Sequence, residues 1–186
     1  MVSVKITKRR IFFSAIFVLF VAVIAFYVFH TAPEPIYSWD YHGNMIGFRA
    51  DLREAEKVPV YPSETALFNE INSQLIQNMT ILFKPASESE NPYYSLEEFE
   101  IIQKLTFLFK RIGISPGFNA NTTDSYENIF GKIQNPIIVL VHPKFANETS
   151  VTVTPNHVIY IKGKTNRDFD LATTKFLMVA MSINLS

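Results

Sequence analysis

The first long apolar stretch of the chain is IFFSAIFVLFVAVIAFYVF, residues 11–29, which contains no charge, proline or glycine. A helix of this length rises about 28 Å, close to the hydrocarbon thickness of a bilayer. The pattern therefore predicts one transmembrane helix. A cleaved signal peptide is the alternative, but its apolar region is usually shorter, and YVFHTAPEP offers no good small-x-small cleavage site.

The charges that flank this segment predict its orientation. Four basic residues precede it: Lys5, Lys8, Arg9 and Arg10. After it, no basic residue occurs until Arg49. The positive-inside rule therefore places residues 1–10 in the cytoplasm and the rest of the chain outside the cell membrane. Residues 30–35 contain two prolines and read as a stiff spacer, so residues 36–186 are left as one extracytoplasmic domain.

Alternating apolar positions predict a β-hairpin at the start of this domain. IYSWDYHGNMIGFRADL alternates on both sides of His42-Gly43-Asn44, a favourable turn sequence. The alternation places Tyr37, Trp39 and Tyr41 towards a core, although an aromatic belt at the membrane surface is an alternative for them.

A 3.6-residue period then predicts two helices. The first follows an N-cap at Ser63, and a strand over residues 79–85 comes after it. The second is SLEEFEIIQKLTFLFKRI, for which Ser95 and Glu98 form a capping box. Glu100 and Lys104 are expected to pair on its solvent face. Residues 113–124 read as a loop, and SYENIFGK, residues 125–132, as two helical turns.

The last third of the chain predicts the centre of a sheet. PIIVLV, residues 136–141, lacks alternation and is expected to be a strand buried on both faces. A hairpin through Pro155-Asn156 follows, and then an apolar helix, capped by Asp168, that packs on the sheet. Strands separated by helices indicate an α/β sandwich with a largely parallel or mixed sheet.

Charge and composition exclude some partners. All 17 acidic residues follow residue 30, whereas four of the 17 basic residues precede it, so the outer part has 13 basic residues and a net charge of −4. This balance argues against a nucleic-acid partner. The chain has no cysteine, so stability has to come from the core. Three sequons are candidate glycosylation sites: Asn78, Asn121 and Asn147. A fourth, at Asn184, lies too close to the last residue of the sequence.

The loop HPKFANET, after the central strand, carries the best candidate chemistry. His142 could act as a general acid or base with Glu148, and Lys144 or Asn147 could bind an anionic group. The alternative is a structural loop, in which Phe145 packs into the core and the polar side chains are solvated. No Gly-x-Ser-x-Gly nucleophile elbow occurs in the chain.

Nucleotide, metal and cofactor sites are not predicted. YIKGKT, residues 160–165, lacks the glycine that a phosphate-binding loop requires at the position of Val158. The four histidines do not form an i,i+4 pair or a His-Glu-x-x-His motif.

The anchor, the spacer and the ending NPIIVLVHPKFANETSVTV…HVIYIKGKTNRDFDLATTKFLMVAM together resemble uncharacterised archaeal single-pass membrane proteins with a small outer α/β domain. DLREAEKVPVYPSET is similar to the segment before the first helix of those proteins. The resemblance implies the topology and the fold, and no catalytic or binding residue.

Two functions follow as hypotheses. The first is a non-enzymatic module, tethered through residues 11–29, that binds or organises an envelope protein or glycan. The alternative is a membrane-tethered envelope hydrolase that uses His142 and Glu148 as acid and base. A pocket into which His142 opens, at the carboxyl ends of the strands, would favour the hydrolase.

Overall fold

The computed structural model describes residues 37–85 and 91–185. It begins with the predicted hairpin, whose strands are β1, Tyr37–Tyr41, and β2, Asn44–Phe48. The turn residues His42 and Gly43 have φ angles of 53° and 81°. Positive φ at both positions characterises the turn that matches strand twist, and glycine adopts it without strain. The predicted hairpin is confirmed.

A six-stranded mixed sheet forms the centre of the domain, in the order β3-β7-β8-β6-β4-β5. All neighbours in it are parallel except β7 and β8, which form the predicted antiparallel hairpin. The strands are β3, Val60–Tyr61; β4, Asn78–Phe83; β5, Gly117–Thr122; β6, Ile137–Val141; β7, Ser150–Thr154; and β8, Val158–Lys162. The α/β class is therefore confirmed, and β6 is the interior strand expected from PIIVLV.

Helices cover one face of this sheet. They are α1, Leu52–Ala55; α2, Glu64–Ile71; α3, Asn91–Arg111; and α4, Asn166–Ala180. Alternate strand residues such as Ile81, Leu140 and Ile161 point into the core that these helices share. The last helix is almost entirely buried, as its apolar sequence predicts.

The opposite face of the sheet carries a smaller core around Val139, Val141 and Val158. The connection between β5 and β6 crosses this face and contributes Tyr126 and Ile129. The chain between them contains no helix, so the two turns predicted at residues 125–132 are wrong. The strand β5 was expected to be a loop. Its sequence GFNANT lacks a strand pattern, and pairing with β4 determines its conformation.

The helix α3 starts earlier than its sequence predicts. It begins at Asn91, so Ser95 lies inside the helix and is not its N-cap. Glu100 and Lys104 pair at 2.5 Å as expected, but both are buried. The β1–β2 hairpin packs against α3 at this pair and thereby buries both side chains. Lys104 Nζ lies 5.0 Å from the ring centre of Phe48.

The helix α4 also starts before its predicted cap. Thr165 Oγ1 accepts a hydrogen bond from the backbone N–H of Asp168, so Thr165 is the N-cap. At Gly163, a Cβ atom would collide with the backbone nitrogen of Phe169. Glycine therefore lets the turn after β8 pass close to the first turn of α4, which is the structural role of the YIKGKT segment.

The predicted anchor, residues 11–29, lies outside the described residues. Within residues 37–85 and 91–185, no helix has both the length and the apolar character that a bilayer span requires.

Candidate functional site

The strongest candidate site lies where β4 and β6 end side by side. From β4 the chain crosses to β5 on one side, and from β6 it passes to β7 and β8 on the other side. Connections that leave in opposite directions mark the topological switch point of the sheet, and open α/β sheets usually bind ligands at such a point, at the carboxyl ends of the strands. We call the surroundings of this point the β4–β6 crevice: Lys84, Tyr94, Tyr126, His142 and Phe145.

His142 follows β6 and is buried, with 7% of its surface exposed. Its Nδ1 accepts a hydrogen bond of 2.8 Å from the backbone N–H of Lys144, which caps the short 3-10 turn Pro143–Phe145. If the ring is neutral, this bond assigns its proton to Nε2. The expectation that His142 is solvated is wrong, because the ring packs against Tyr94 and Phe145.

Phe145 is on the outside of the crevice. Its side chain is 43% exposed, so the expectation that it packs into the core is wrong. The Lys84 ammonium lies 5.2 Å from the centre of its ring, and the ring of Tyr126 meets it edge to face. The proline at residue 143 starts a tight turn, which directs Phe145 over the strand end and not between the helices.

Tyr126 joins the two sides of the crevice. Its hydroxyl accepts from the backbone N–H of His142 at 3.1 Å. The same hydroxyl lies 3.3 Å from the carbonyl of Lys84 and 3.2 Å from that of Leu140. Burial raises the pKa of Tyr126. The ends of β4 and β6 are thus fixed relative to each other by one phenol.

Tyr94, in the first turns of α3, forms the inner wall. Its ring stacks on Phe83 with 5.5 Å between ring centres and also contacts Phe169 of α4. Aromatic rings from the sheet, from α3 and from the loop before β6 therefore surround the ends of β4 and β6.

The other predicted site residues are not collected around His142. Glu148 accepts hydrogen bonds from Ser150 at 3.1 Å and from Lys162 at 3.2 Å. The Lys162 ammonium and the Ser150 hydroxyl lower the pKa of Glu148, so its carboxylate is a weak base. Lys144 and Asn147 are exposed. The four residues lie on one loop, but His142 and Glu148 each have a structural partner.

A buried charge cluster lies beside the crevice, between α3, α4 and the residue after β2. It consists of Arg49, Glu97, Glu100, Lys104 and Asp170. Arg49 donates to Glu97 Oε1 at 2.7 Å, and Tyr93 Oη donates to Asp170 at 2.6 Å. The second oxygen of Glu97 is buried and has no hydrogen-bond partner in the described part of the chain.

Two carboxyl groups in this region titrate far above their usual range. Burial, followed by the neighbouring Glu100 and Asp170, raises the pKa of Glu97 to about 8, although Arg49 opposes the shift. Burial raises the pKa of Glu98 to about 7. Burial and the hydrogen bond to Asp170 raise the pKa of Tyr93. Glu97 is therefore mostly neutral at pH 7.

Clefts elsewhere in the domain are less convincing as sites. One of about 240 Å³ surrounds Lys175, whose ammonium is held by Glu64 Oε1 at 2.6 Å and by the carbonyl of Glu56 at 3.0 Å. Another, of about 280 Å³, separates β2 from α3. Across residues 37–85 and 91–185, no group of three or more His, Asp or Glu side chains is placed to hold a metal ion.

The sequence did not reveal Tyr126, Tyr94 or Lys84 as parts of one site. The sequence pattern predicts a helix at Tyr126, and Tyr94 lies before the predicted start of α3. Only strand order brings these residues to His142, and strand order cannot be read from local patterns. The proline that stops β4 after Lys84 was the one available signal for this end of the strand.

No protein-family model, curated protein or solved structure matches the chain.

Proposed function

We propose that the protein is a single-pass membrane protein whose extracytoplasmic α/β domain binds an envelope protein or glycan at the β4–β6 crevice. The observation that supports binding most directly is the exposed Phe145, held over the topological switch point by Tyr126, His142 and Lys84. Aromatic faces beside amines can stack on sugar rings or apolar side chains and attract acidic groups.

The contacts of the loop favour binding over hydrolysis. Hydrolysis by a histidine-carboxylate pair needs a hydrogen bond between them and an accessible base. His142 Nδ1 instead accepts from the backbone of Lys144, and Glu148 is paired with Lys162. The loop thus presents Phe145 and Lys144 to the solvent while its histidine and its carboxylate serve the structure.

The membrane part of the proposal rests on the sequence. Residues 11–29 are apolar and long enough to span a bilayer, and four cations precede them. Protease added to intact cells or spheroplasts should digest the domain from the outside. Protection until the membrane is permeabilised would show the opposite orientation.

Photo-crosslinking tests the crevice. A photoreactive phenylalanine analogue at Phe145 of the full chain, irradiated in native membranes, should give one discrete adduct. Phe68 on α2 is a matched control, because it is the same residue type and is similarly exposed, 38% against 43%. Identical adducts from both positions, or none from Phe145, would refute a partner at the crevice. Lys84→Glu should reduce the adduct while the domain remains folded.

A further inference from the structure

The end of the sheet opposite the crevice has a distinct surface. The strands β4, β5, β6 and β8 all begin there, because they are parallel. Backbone hydrogen bonds connect the neighbouring loops. The backbone N–H groups of Gln77 and Asn78 both donate to the carbonyl of Gln134, and that of Gly117 donates to the carbonyl of Gln77. The amide of Gly131 likewise donates to Asn156 in the β7–β8 turn.

Exposed apolar side chains are concentrated on these loops. Among the described residues, ten large hydrophobic side chains are exposed, and four of them lie at this end: Leu75 at 56%, Ile112 at 50%, Phe130 at 66% and Ile133 at 42%. They come from three different loops or helix ends, so no single amphipathic segment explains them. Exposed apolar groups gathered on one surface indicate a contact site.

The charge of this end is opposite to that of the whole domain. Three exposed basic residues accompany the apolar ones: Lys110, Arg111 and Lys132. Two acidic residues also lie here, Glu70 at 2.9 Å from His157 Nδ1 and Asp40, which accepts from the backbone N–H of Gly43, so the basic residues outnumber them by one. A basic and apolar end on a domain of net charge −3 selects an anionic, partly apolar partner.

We propose that this end, the basic-apolar end, rests on the anionic surface of a lipid bilayer. The inference builds on the proposed anchor. Phe29 and Tyr37 are eight residues apart, which spans at most about 28 Å of extended chain. The hairpin turn at His42-Gly43, which starts five residues beyond Tyr37, lies at the same end as Arg111, which packs over Tyr41. The spacer is therefore long enough for this end to reach the bilayer.

The chemistry fits a bilayer interface in particular. Phe, Ile and Leu side chains on loop tips can enter the headgroup region, and Lys and Arg stems extend towards lipid phosphates. Each basic residue close to an anionic surface adds an attraction that salt screens. Contact at this end also leaves the β4–β6 crevice, at the opposite end of the strands, open to the outside.

The absence of cysteine allows a direct test on the full chain. Asn135→Cys, an exposed position beside Lys132, and Lys144→Cys at the opposite end each receive a fluorescent label. The labelled chains are reconstituted into vesicles of phosphatidylcholine with or without phosphatidylserine, and quenchers are placed on the lipid headgroups. Quenching should be about threefold stronger at residue 135 than at residue 144, and stronger with phosphatidylserine.

Charge reversal separates this surface from general electrostatics. Lys110→Glu, Arg111→Glu and Lys132→Glu together should abolish the extra quenching at residue 135. A matched variant with three other exposed cations reversed, Arg53→Glu, Lys57→Glu and Lys164→Glu, should retain it. Equal loss in both variants would overturn the proposal.

Two further outcomes distinguish the alternatives. Equal quenching at the two positions, with energy transfer between differently labelled chains at residue 135, would show that a second copy covers this end, and it would overturn the proposal. Release of the chain from vesicles at alkaline pH would refute the anchor alone. If the chain then still floated with vesicles at neutral pH only when they contained phosphatidylserine, and the same charge reversal prevented it, the contact of the basic-apolar end with the bilayer would remain supported.

Discussion

Replacing Glu97 by glutamine should make the domain more stable at pH 8 and less dependent on pH. The side chain is fully buried on α3, with one oxygen 2.7 Å from Arg49 and the other without a hydrogen-bond partner in the described chain. Its pKa in the folded protein is raised to about 8 from an ordinary value of 4.5. Glutamine keeps the shape and cannot ionise.

The direction of the effect follows from linkage. An acid with a raised folded pKa favours the folded state while it is protonated, below about pH 4.5. That stability is lost as the pH rises from 4.5 towards 8, because the unfolded chain ionises first. One proton changes the free energy of unfolding by about 1.4 kcal/mol per pH unit, so about 3 kcal/mol separates pH 5 from pH 7.

Urea unfolding of the full chain in detergent, from pH 5 to pH 9, measures this dependence. Fluorescence of Trp39, the single tryptophan, reports on the fold. In Glu97→Gln, the slope of the free energy of unfolding against pH should be smaller by the equivalent of about one proton between pH 5 and pH 8. Glu98→Gln is the matched control next to it. Because the pKa of Glu98 is raised to about 7, its contribution to the slope should end about one pH unit lower than that of Glu97.

One result would refute this reasoning. If Glu97→Gln keeps the slope of the native chain and is less stable at pH 8, then Glu97 is ionised there. Its ion pair with Arg49 would then outweigh burial, and breaking it would cost stability throughout this range.

Three further predictions concern the fold. His142→Ala should lower the free energy of unfolding by about 1–2 kcal/mol through loss of the cap, whereas Phe145→Ala should change it by about 0.5 kcal/mol or less, as chemical denaturation would show. Gly163→Ala should destabilise by about 1–3 kcal/mol because its methyl group meets Phe169; a neutral result would refute the close approach. Residues 36–186 should unfold cooperatively by calorimetry without the anchor, whereas aggregation would show that the domain depends on it.

Local chemistry made parts of the fold predictable. The β1–β2 hairpin needs only alternation and a turn with positive φ, and His42-Gly43 supplies the turn. The interior position of β6 follows from an uninterrupted apolar run, IIVLV. In each of these cases the residues that decide the structure are neighbours in the sequence.

Tertiary contacts decided the features that the sequence did not predict. Glu100 and Lys104 have the spacing of a solvent-exposed pair, but the hairpin and α4 pack around α3 and bury them. The uncharged strand β5 exists because β4 offers its edge. The crevice depends on β4 and β6 lying side by side in the sheet. This order brings the hydroxyl of Tyr126 to the carbonyl of Lys84, 42 positions earlier in the sequence.

The position of β1 determines how the domain would respond to tension. Any pull along the chain from residues 1–36 enters the domain at Tyr37, which pairs with Phe48 at the open end of the hairpin. Pairs loaded from that end separate one after another, as in a zipper. In the described part of the chain, the backbone of β1 pairs with β2 alone, and Tyr37, Trp39 and Tyr41 reach the core only through side-chain packing, so the hairpin ladder would be loaded before the ladders of the six-stranded sheet. Under force, β1 would peel away first, and the β4–β6 crevice would keep its shape.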